Sequence, residues 1–286
     1  MASTPPRNPG PPPAAGATEA ALQRAAFAMQ SGNPGEAERI AGELLARSPG
    51  DARAAQLLGF ALFVQGRGAE AVEPLKRAVK QNRDPTLETQ LAMALWQAGQ
   101  IDDALKRFAR AVERTPPFPL AFLEYGALLV QLGRHAEAVD VLKRGVALAP
   151  NFADMAAQLG NALARGGDRD TAREAFARAL ANTPPNLDAL FNIAGVMKEA
   201  GCFAQAADAY RRMLEIDSRE AGARVALGIC QLEAGDSEAG YESLRAASRA
   251  DPKILGKSMQ ALASAGRGRF WLRPSSAARF LKGEES

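Results

Sequence analysis

The side chains that could carry out catalysis are few and lie far apart in the sequence. The chain has one histidine, His135, and two cysteines, Cys202 and Cys230. His135 has no cysteine or second histidine nearby with which to bind a metal or activate a nucleophile. The sequence also contains neither a phosphate-binding glycine loop followed by Lys-Ser/Thr nor a nucleophile elbow. We therefore expect no enzymatic activity, no cofactor and no metal site.

The cysteines and the lack of long apolar segments bear on where in the cell the protein is located. A disulfide between Cys202 and Cys230 is not expected, and two unpaired thiols are typical of a reducing environment. The amino terminus lacks the apolar core of a signal peptide, and no run approaches the ~18 apolar residues that span a bilayer. Arginine outnumbers lysine 27 to 8, which favours a bacterial origin. The sequence predicts a cytoplasmic protein.

The elements that must position any functional side chain come from an internal repeat. Seven glycines recur at spacings of 33 or 34 residues, and each is followed five residues later by alanine or glycine. They are Gly32, Gly66, Gly99, Gly133, Gly167, Gly201 and Gly235. Such a period indicates stacked units of two helices. The glycine is expected to end the first helix at positive φ, and the small residue is expected to let the second helix approach closely.

The unit resembles the tetratricopeptide repeat, a 34-residue helix–turn–helix. One copy has Leu159-Gly160 in its first helix, then a small residue at Ala172, a large one at Phe176 and a proline at Pro184. Five units close on a proline that is expected to stop the second helix: Pro49, Pro116, Pro150, Pro184 and Pro252. The resemblance covers seven repeats over residues 18–252. It implies an all-α fold, a right-handed α-superhelix (solenoid) of stacked helix–turn–helix units.

Two segments lie outside the predicted array. Residues 1–17 are rich in proline and are expected to form a disordered leader, with a polyproline ligand as the alternative. Residues 253–286 carry a net charge of +5. They predict a capping helix with Leu255, Met259 and Leu262 on one face, followed by a basic tail. The tail aromatics Phe270 and Trp271 either complete the cap or, with the arginines, contact nucleic acid or an anionic membrane.

The resemblance implies that the first helices of the repeats line a concave groove. Register places aromatic and apolar residues in its amino-terminal half, together with Glu124, and amide and basic residues beyond them. The predicted groove residues are Phe60, Phe63, Met93, Trp96, Gln97, Gln131, Asn161, Arg165, Asn192 and Lys198. Large apolar groups on a concave surface are typical of a binding site. Alternatively, the four apolar residues pack between adjacent first helices or bury the leader.

The resemblance favours a non-enzymatic scaffold that binds a peptide or helix of a partner protein in this groove, without a small-molecule cofactor. Asn161 and Asn192 are suited to hydrogen-bond the backbone of an extended peptide. Bacterial arrays of this kind are often fused to sulfotransferase or glycosyltransferase domains, so a stand-alone substrate-recruiting module is one alternative. A second alternative is a nucleic-acid or membrane-surface adaptor that acts through the basic tail.

Overall fold

The computed structural model describes residues 15–82, 84–185, 187–264 and 274–282, and most of these residues are helical with no strand among them. In chain order, the first eight helices are α1 (Ala15–Gln30), α2 (Pro34–Arg47), α3 (Ala52–Val64), α4 (Gly68–Gln81), α5 (Pro85–Gln97), α6 (Ile101–Ala111), α7 (Pro119–Gln131) and α8 (His135–Leu148). The remaining ones are α9 (Ala153–Arg165), α10 (Arg169–Asn182), α11 (Leu187–Glu199), α12 (Phe203–Ile216), α13 (Ala221–Ala234), α14 (Ser237–Ala250), α15 (Leu255–Ser264) and α16 (Pro274–Lys282). Residues 1–14 of the leader, and Phe270 and Trp271 of the tail, lie outside the described residues.

Two compact units divide the chain, residues 1–125 and residues 126–286. In the first unit, α1 packs on α2, α3 on α4 and α5 on α6. In the second unit, α9 packs on α10, α11 on α12 and α13 on α14. Each pair also contacts the next helix in the chain, as α2 does with α3 and α12 with α13. The predicted all-α fold of consecutive helix pairs is confirmed.

The turn inside each helix pair depends on its glycine. Among the described residues, only the seven periodic glycines have positive φ, between 70° and 96°. In every case the N–H of the residue after the glycine donates to the carbonyl five residues earlier, as Arg134 N does to Leu129 O at 2.9 Å. This bond closes the first helix and requires the left-handed conformation that glycine adopts without a Cβ clash. The seven turns therefore have one geometry, which the glycine spacing predicts.

Close contact between the paired helices explains the small residues that follow each turn. Ala172, at the start of α10, is completely buried. Opposite it, Gly160 of α9 leaves no room for a side chain, because an added Cβ would lie 2.8 Å from the ring of Phe176. The same arrangement recurs at Gly126, where a Cβ would lie 2.4 Å from Leu142. The large residue of the second helix thus fills the space that the glycine of the first helix leaves open.

The prolines follow the expected pattern in four units and depart from it in one. Helices α2, α8, α10 and α14 each end two residues before the proline that closes their unit. Helix α6 instead ends at Ala111, well before Pro116, so the expectation that Pro116 stops this helix is wrong. The helix ends in hydrogen bonds to the residue three positions earlier instead of four, since Glu113 N donates to Arg110 O and Arg114 N donates to Ala111 O.

Helices α15 and α16 pack against α13 and α14 at the carboxy-terminal end of the second unit. Phe280 of α16 meets the ring of Tyr241 edge-on, with ring centroids 5.3 Å apart. The guanidinium carbon of Arg245 lies 4.0 Å from the centroid of the Phe280 ring, in a cation–π arrangement. Leu281 beside it is completely buried. These contacts cover Leu244, which would otherwise form the apolar end of the last helix pair.

The helix contact at Ala172 gives a test of the register. Ala172→Leu should lower the free energy of unfolding by about 1–3 kcal/mol, because the added methylenes overpack the contact with α9. Ala138→Leu should do the same at the equivalent position of α8. Ala177→Leu, an exposed position on α10, serves as the control and should change stability by less than about 0.5 kcal/mol. Urea unfolding measures all three, and unchanged midpoints for Ala172→Leu and Ala138→Leu would show that the register is wrong.

A second test concerns the carboxy-terminal helices. Phe280→Ala should destabilise the protein by about 3–5 kcal/mol, since the ring is buried against α14. Removal of everything after Pro252 should cause aggregation or loss of cooperative unfolding, because a terminal repeat needs a polar outer face. Light scattering and thermal unfolding report both effects. A truncated chain that stays monomeric and equally stable would mean that these helices do not act as a cap.

Candidate functional site

A small pocket in the first unit brings together four of the predicted groove residues. Phe63 comes from α3, and Met93, Trp96 and Gln97 come from α5. Glu124 of α7 completes the wall, and the cavity has a volume of about 210 Å³. We call these five residues the aromatic pocket.

The repeat period explains why these side chains meet. Phe63 and Trp96 are 33 residues apart, so they occupy equivalent positions on α3 and α5. On α5, Met93, Trp96 and Gln97 are spaced three and four residues apart, which places them on one face of the helix. Phe60 lies one turn before Phe63 and stacks on it, with ring centroids 6.2 Å apart. Phe60 therefore supports the pocket wall from outside the cavity.

Trp96 takes part in the core as well as in the pocket. Its ring meets Phe108 edge-on, with centroids 6.5 Å apart, and Phe108 is completely buried. Phe108 in turn stacks on Tyr125 at 5.9 Å. Trp96 itself stays half-buried, with part of its surface lining the cavity. The sequence left open whether this residue packs or faces a ligand, and its surroundings include both kinds of contact.

Glu124 is the ionisable residue of the aromatic pocket, and its carboxyl is partly removed from water. Its side chain is half-buried, and within the described residues it makes no hydrogen bond or ion pair. Desolvation raises the pKa of this carboxyl above its ordinary value of 4.5. The repeat register predicts that Glu124 faces the groove. It does not predict that the carboxyl lacks a polar partner among the described residues, because that depends on which side chains of α5 and α7 come close. Sequence reasoning therefore gave it no role.

The remaining predicted groove residues lie in the second unit. Gln131, Arg165, Asn192 and Lys198 are exposed. Asn161 is only 6% exposed, and its amide oxygen accepts a hydrogen bond from Arg165 Nε at 3.0 Å. Asn161 is therefore largely buried and its amide oxygen already accepts one hydrogen bond, so the side chain is less available to a peptide backbone than the sequence predicts. Its place instead fixes the position of the Arg165 side chain.

The side chains singled out for possible catalysis are in environments that do not activate them. Cys202 and Cys230 are free and buried, and burial raises the pKa of the Cys230 thiol to about 11. A thiol with such a pKa is protonated at neutral pH and is a poor nucleophile. His135 is half-buried at the start of α8, and its Nδ1 has no hydrogen-bond partner among the described residues. In the described ranges, no group of three or more His, Cys, Asp or Glu residues could hold a metal ion.

Family models for the tetratricopeptide repeat match most of the chain. One matches residues 28–94, and another matches residues 89–151 and 158–221. The chain belongs to the tetratricopeptide repeat family. No curated protein matches it in sequence. None of the helices in the described part of this repeat protein is long and apolar enough to cross a membrane.

Solved structures of other repeat proteins share the fold. A tetratricopeptide repeat protein from Parabacteroides merdae superimposes with a TM-score of 0.57 at 15% identity, covering 86% of this chain and 98% of its own. PilF of Pseudomonas aeruginosa gives 0.56 at 18% identity, covering 71% and 93%. The MamA protein gives 0.51 at 21% identity, covering 58% and 91%. Similarities at this level of identity show the fold alone.

The raised pKa of Glu124 predicts a pH-dependent cost to folding. A carboxyl whose pKa is higher in the folded state binds its proton more tightly there, so stability falls as the pH rises above about 4.5. Glu124→Gln should therefore be more stable than the parent protein at pH 7 and equal to it at pH 4. Urea unfolding at the two pH values measures the difference. Glu174→Gln, an exposed carboxyl on α10, should show no such gain, and an equal gain in both variants would contradict the assignment.

Proposed function

We propose that this protein is a non-enzymatic scaffold that binds a segment of a partner protein through the aromatic pocket. Membership in the tetratricopeptide repeat family supports a role in protein interaction, because its members are generally non-catalytic scaffolds. The observation that carries the proposal is the cavity between α3, α5 and α7, whose walls are Phe63, Met93 and Trp96. Aromatic side chains left partly open to solvent in a concave site are typical binding hot spots.

The size and lining of the pocket favour one side chain of a peptide as the occupant. Its volume of about 210 Å³ lies below the ~300–1,000 Å³ of most small-molecule sites. The rings of Phe63 and Trp96 offer flat apolar walls, and the thioether of Met93 adapts to the shape of an inserted group. Gln97 is exposed at the pocket edge, where its amide can donate to and accept from a peptide backbone.

The exposed polar residues of the second unit form a separate candidate surface for contact with a partner protein. Arg165 and Lys198 carry positive charge, and Gln131 and Asn192 offer amide groups. Asn161 acts indirectly, because its hydrogen bond holds Arg165 in place. Contacts of this kind contribute more to specificity and association rate than to affinity.

A cytoplasmic location and a protein partner fit the remaining observations. The two free, buried cysteines suit a reducing compartment. The alternatives of a substrate-recruiting module for a transferase and of a nucleic-acid or membrane adaptor have no specific observation in their favour. Most of the basic tail on which the adaptor depends, including Phe270 and Trp271, lies outside the described residues.

Trp96 provides the sharpest test of this function. A phage-displayed random peptide library, selected on the immobilised full chain, supplies a peptide probe whose Kd is then measured by isothermal titration. Trp96→Ala should weaken that Kd about thirtyfold or more, because an aromatic anchor contributes about 2 kcal/mol or more. Phe27→Ala removes a 69% exposed aromatic of the same unit that lies outside the pocket and should leave the Kd unchanged.

Stability must be measured beside binding, because Trp96 also packs on Phe108. Trp96→Phe keeps an aromatic ring at the position and separates the two effects. A folded Trp96→Phe or Trp96→Ala variant with weakened binding supports the pocket. Folded variants that bind the selected peptide as tightly as the parent protein would refute it.

A further inference from the structure

A second concave site in the first unit has a different chemistry. A cleft of about 480 Å³ lies between α4, α5 and α6, with one acidic residue, Glu88, and one apolar residue, Val79, in its lining. All its other lining residues are basic: Lys76, Lys80, Arg107, Arg110 and Arg114. We call these seven residues the basic cleft. None of them belongs to the aromatic pocket.

Glu88 is built into the floor of the basic cleft. The residue is 2% exposed, and Oε2 accepts a hydrogen bond from Arg107 Nη1 at 3.1 Å. Its other oxygen lies 3.8 Å from Arg114 Nη2. In three of the four later units the equivalent residue is apolar and buried, namely Phe122, Ala156 and Leu190, and in the last unit it is Arg224. A buried carboxylate is costly unless it is paired, and here it fixes two arginines at the edge of a cavity.

One carboxylate leaves most of the positive charge in the basic cleft uncompensated. With five cations and one anion in the lining, the cleft has a net charge of +4. In the part of the chain that the structure describes, Lys80 and Arg110 make no ion pair, and Arg114 Nε is buried without a hydrogen-bond partner. Lys76 contacts Glu73 at 3.1 Å, but that carboxylate is 68% exposed and such surface pairs are weak. A cleft lined mainly by positive charges focuses the electric field and attracts anions.

We propose that the basic cleft binds a multiply charged phosphate group, with diphosphate as the simplest example. Arginine guanidinium groups match phosphate oxygens through paired N–H donors, and lysines add point charge. Among the described residues of the lining, Val79 is the one apolar side chain and none is aromatic, so none of them can stack on a nucleobase. The site therefore recognises the phosphates of its ligand and not an attached nucleoside. This binding is independent of the peptide-binding role proposed for the aromatic pocket.

Titration of the full chain with inorganic pyrophosphate tests the proposal. Isothermal titration at low salt should show saturable binding at one site, and ADP should bind within a few-fold of pyrophosphate. The double variant Lys80→Gln/Arg110→Gln should weaken pyrophosphate binding roughly tenfold or more, since each removes one charge-assisted contact. Neither residue pairs with Glu88, so the fold should be retained, as circular dichroism can verify.

A matched control separates a site from general charge attraction. Arg77→Gln/Lys106→Gln removes the same charge from the same two helices, at exposed positions outside the basic cleft. It should bind pyrophosphate like the parent protein. Equal losses in the two double variants, or no saturable binding by the parent protein, would overturn the proposal. ADP binding far tighter than pyrophosphate binding would also overturn it, because the ligand would then be recognised through its nucleoside.

Discussion

The close approach of the two helices in each pair is the contact on which the rest of the structure depends. A glycine at positive φ turns the chain, and a hydrogen bond across the turn closes the first helix. The second helix then approaches to a distance at which Gly160 has no room for a methyl group beside Phe176. Because this contact recurs with a fixed period, equivalent residues of successive pairs occupy equivalent places. Position in the repeat thus determines which side chains become neighbours.

The aromatic pocket is a consequence of that periodicity. Phe63 and Trp96 are one repeat apart, so a large apolar side chain at this position in two successive units creates one continuous wall. Ring contacts support the wall, since Trp96 packs on the buried Phe108 and Phe63 stacks on the half-buried Phe60 of its own helix. Each of the two rings thus has a ring contact outside the cavity.

The basic cleft arises where the repeat departs from its own pattern. Most units have an apolar residue at the position of Glu88, and burying a carboxylate there is stable only because Arg107 and Arg114 surround it. The same first unit thus contains an aromatic cavity and a cationic one. They share helix α5, on which Glu88 lies near the beginning and Trp96 near the end. One short array of helices therefore contains two cavities of unlike chemistry.

The sequence by itself determined the helix pairs, their glycine turns and the positions at which the paired helices make close contact. These features follow from local rules, namely glycine at positive φ, small residues at close contacts and apolar residues at helical spacing. It did not determine the end of α6, the burial of Asn161 or the missing partner of Glu124. The basic cleft also escaped it, although Glu88 at an apolar position was a visible signal. These properties depend on which side chains from neighbouring helices meet, and on the water that they exclude, so only the tertiary structure decides them.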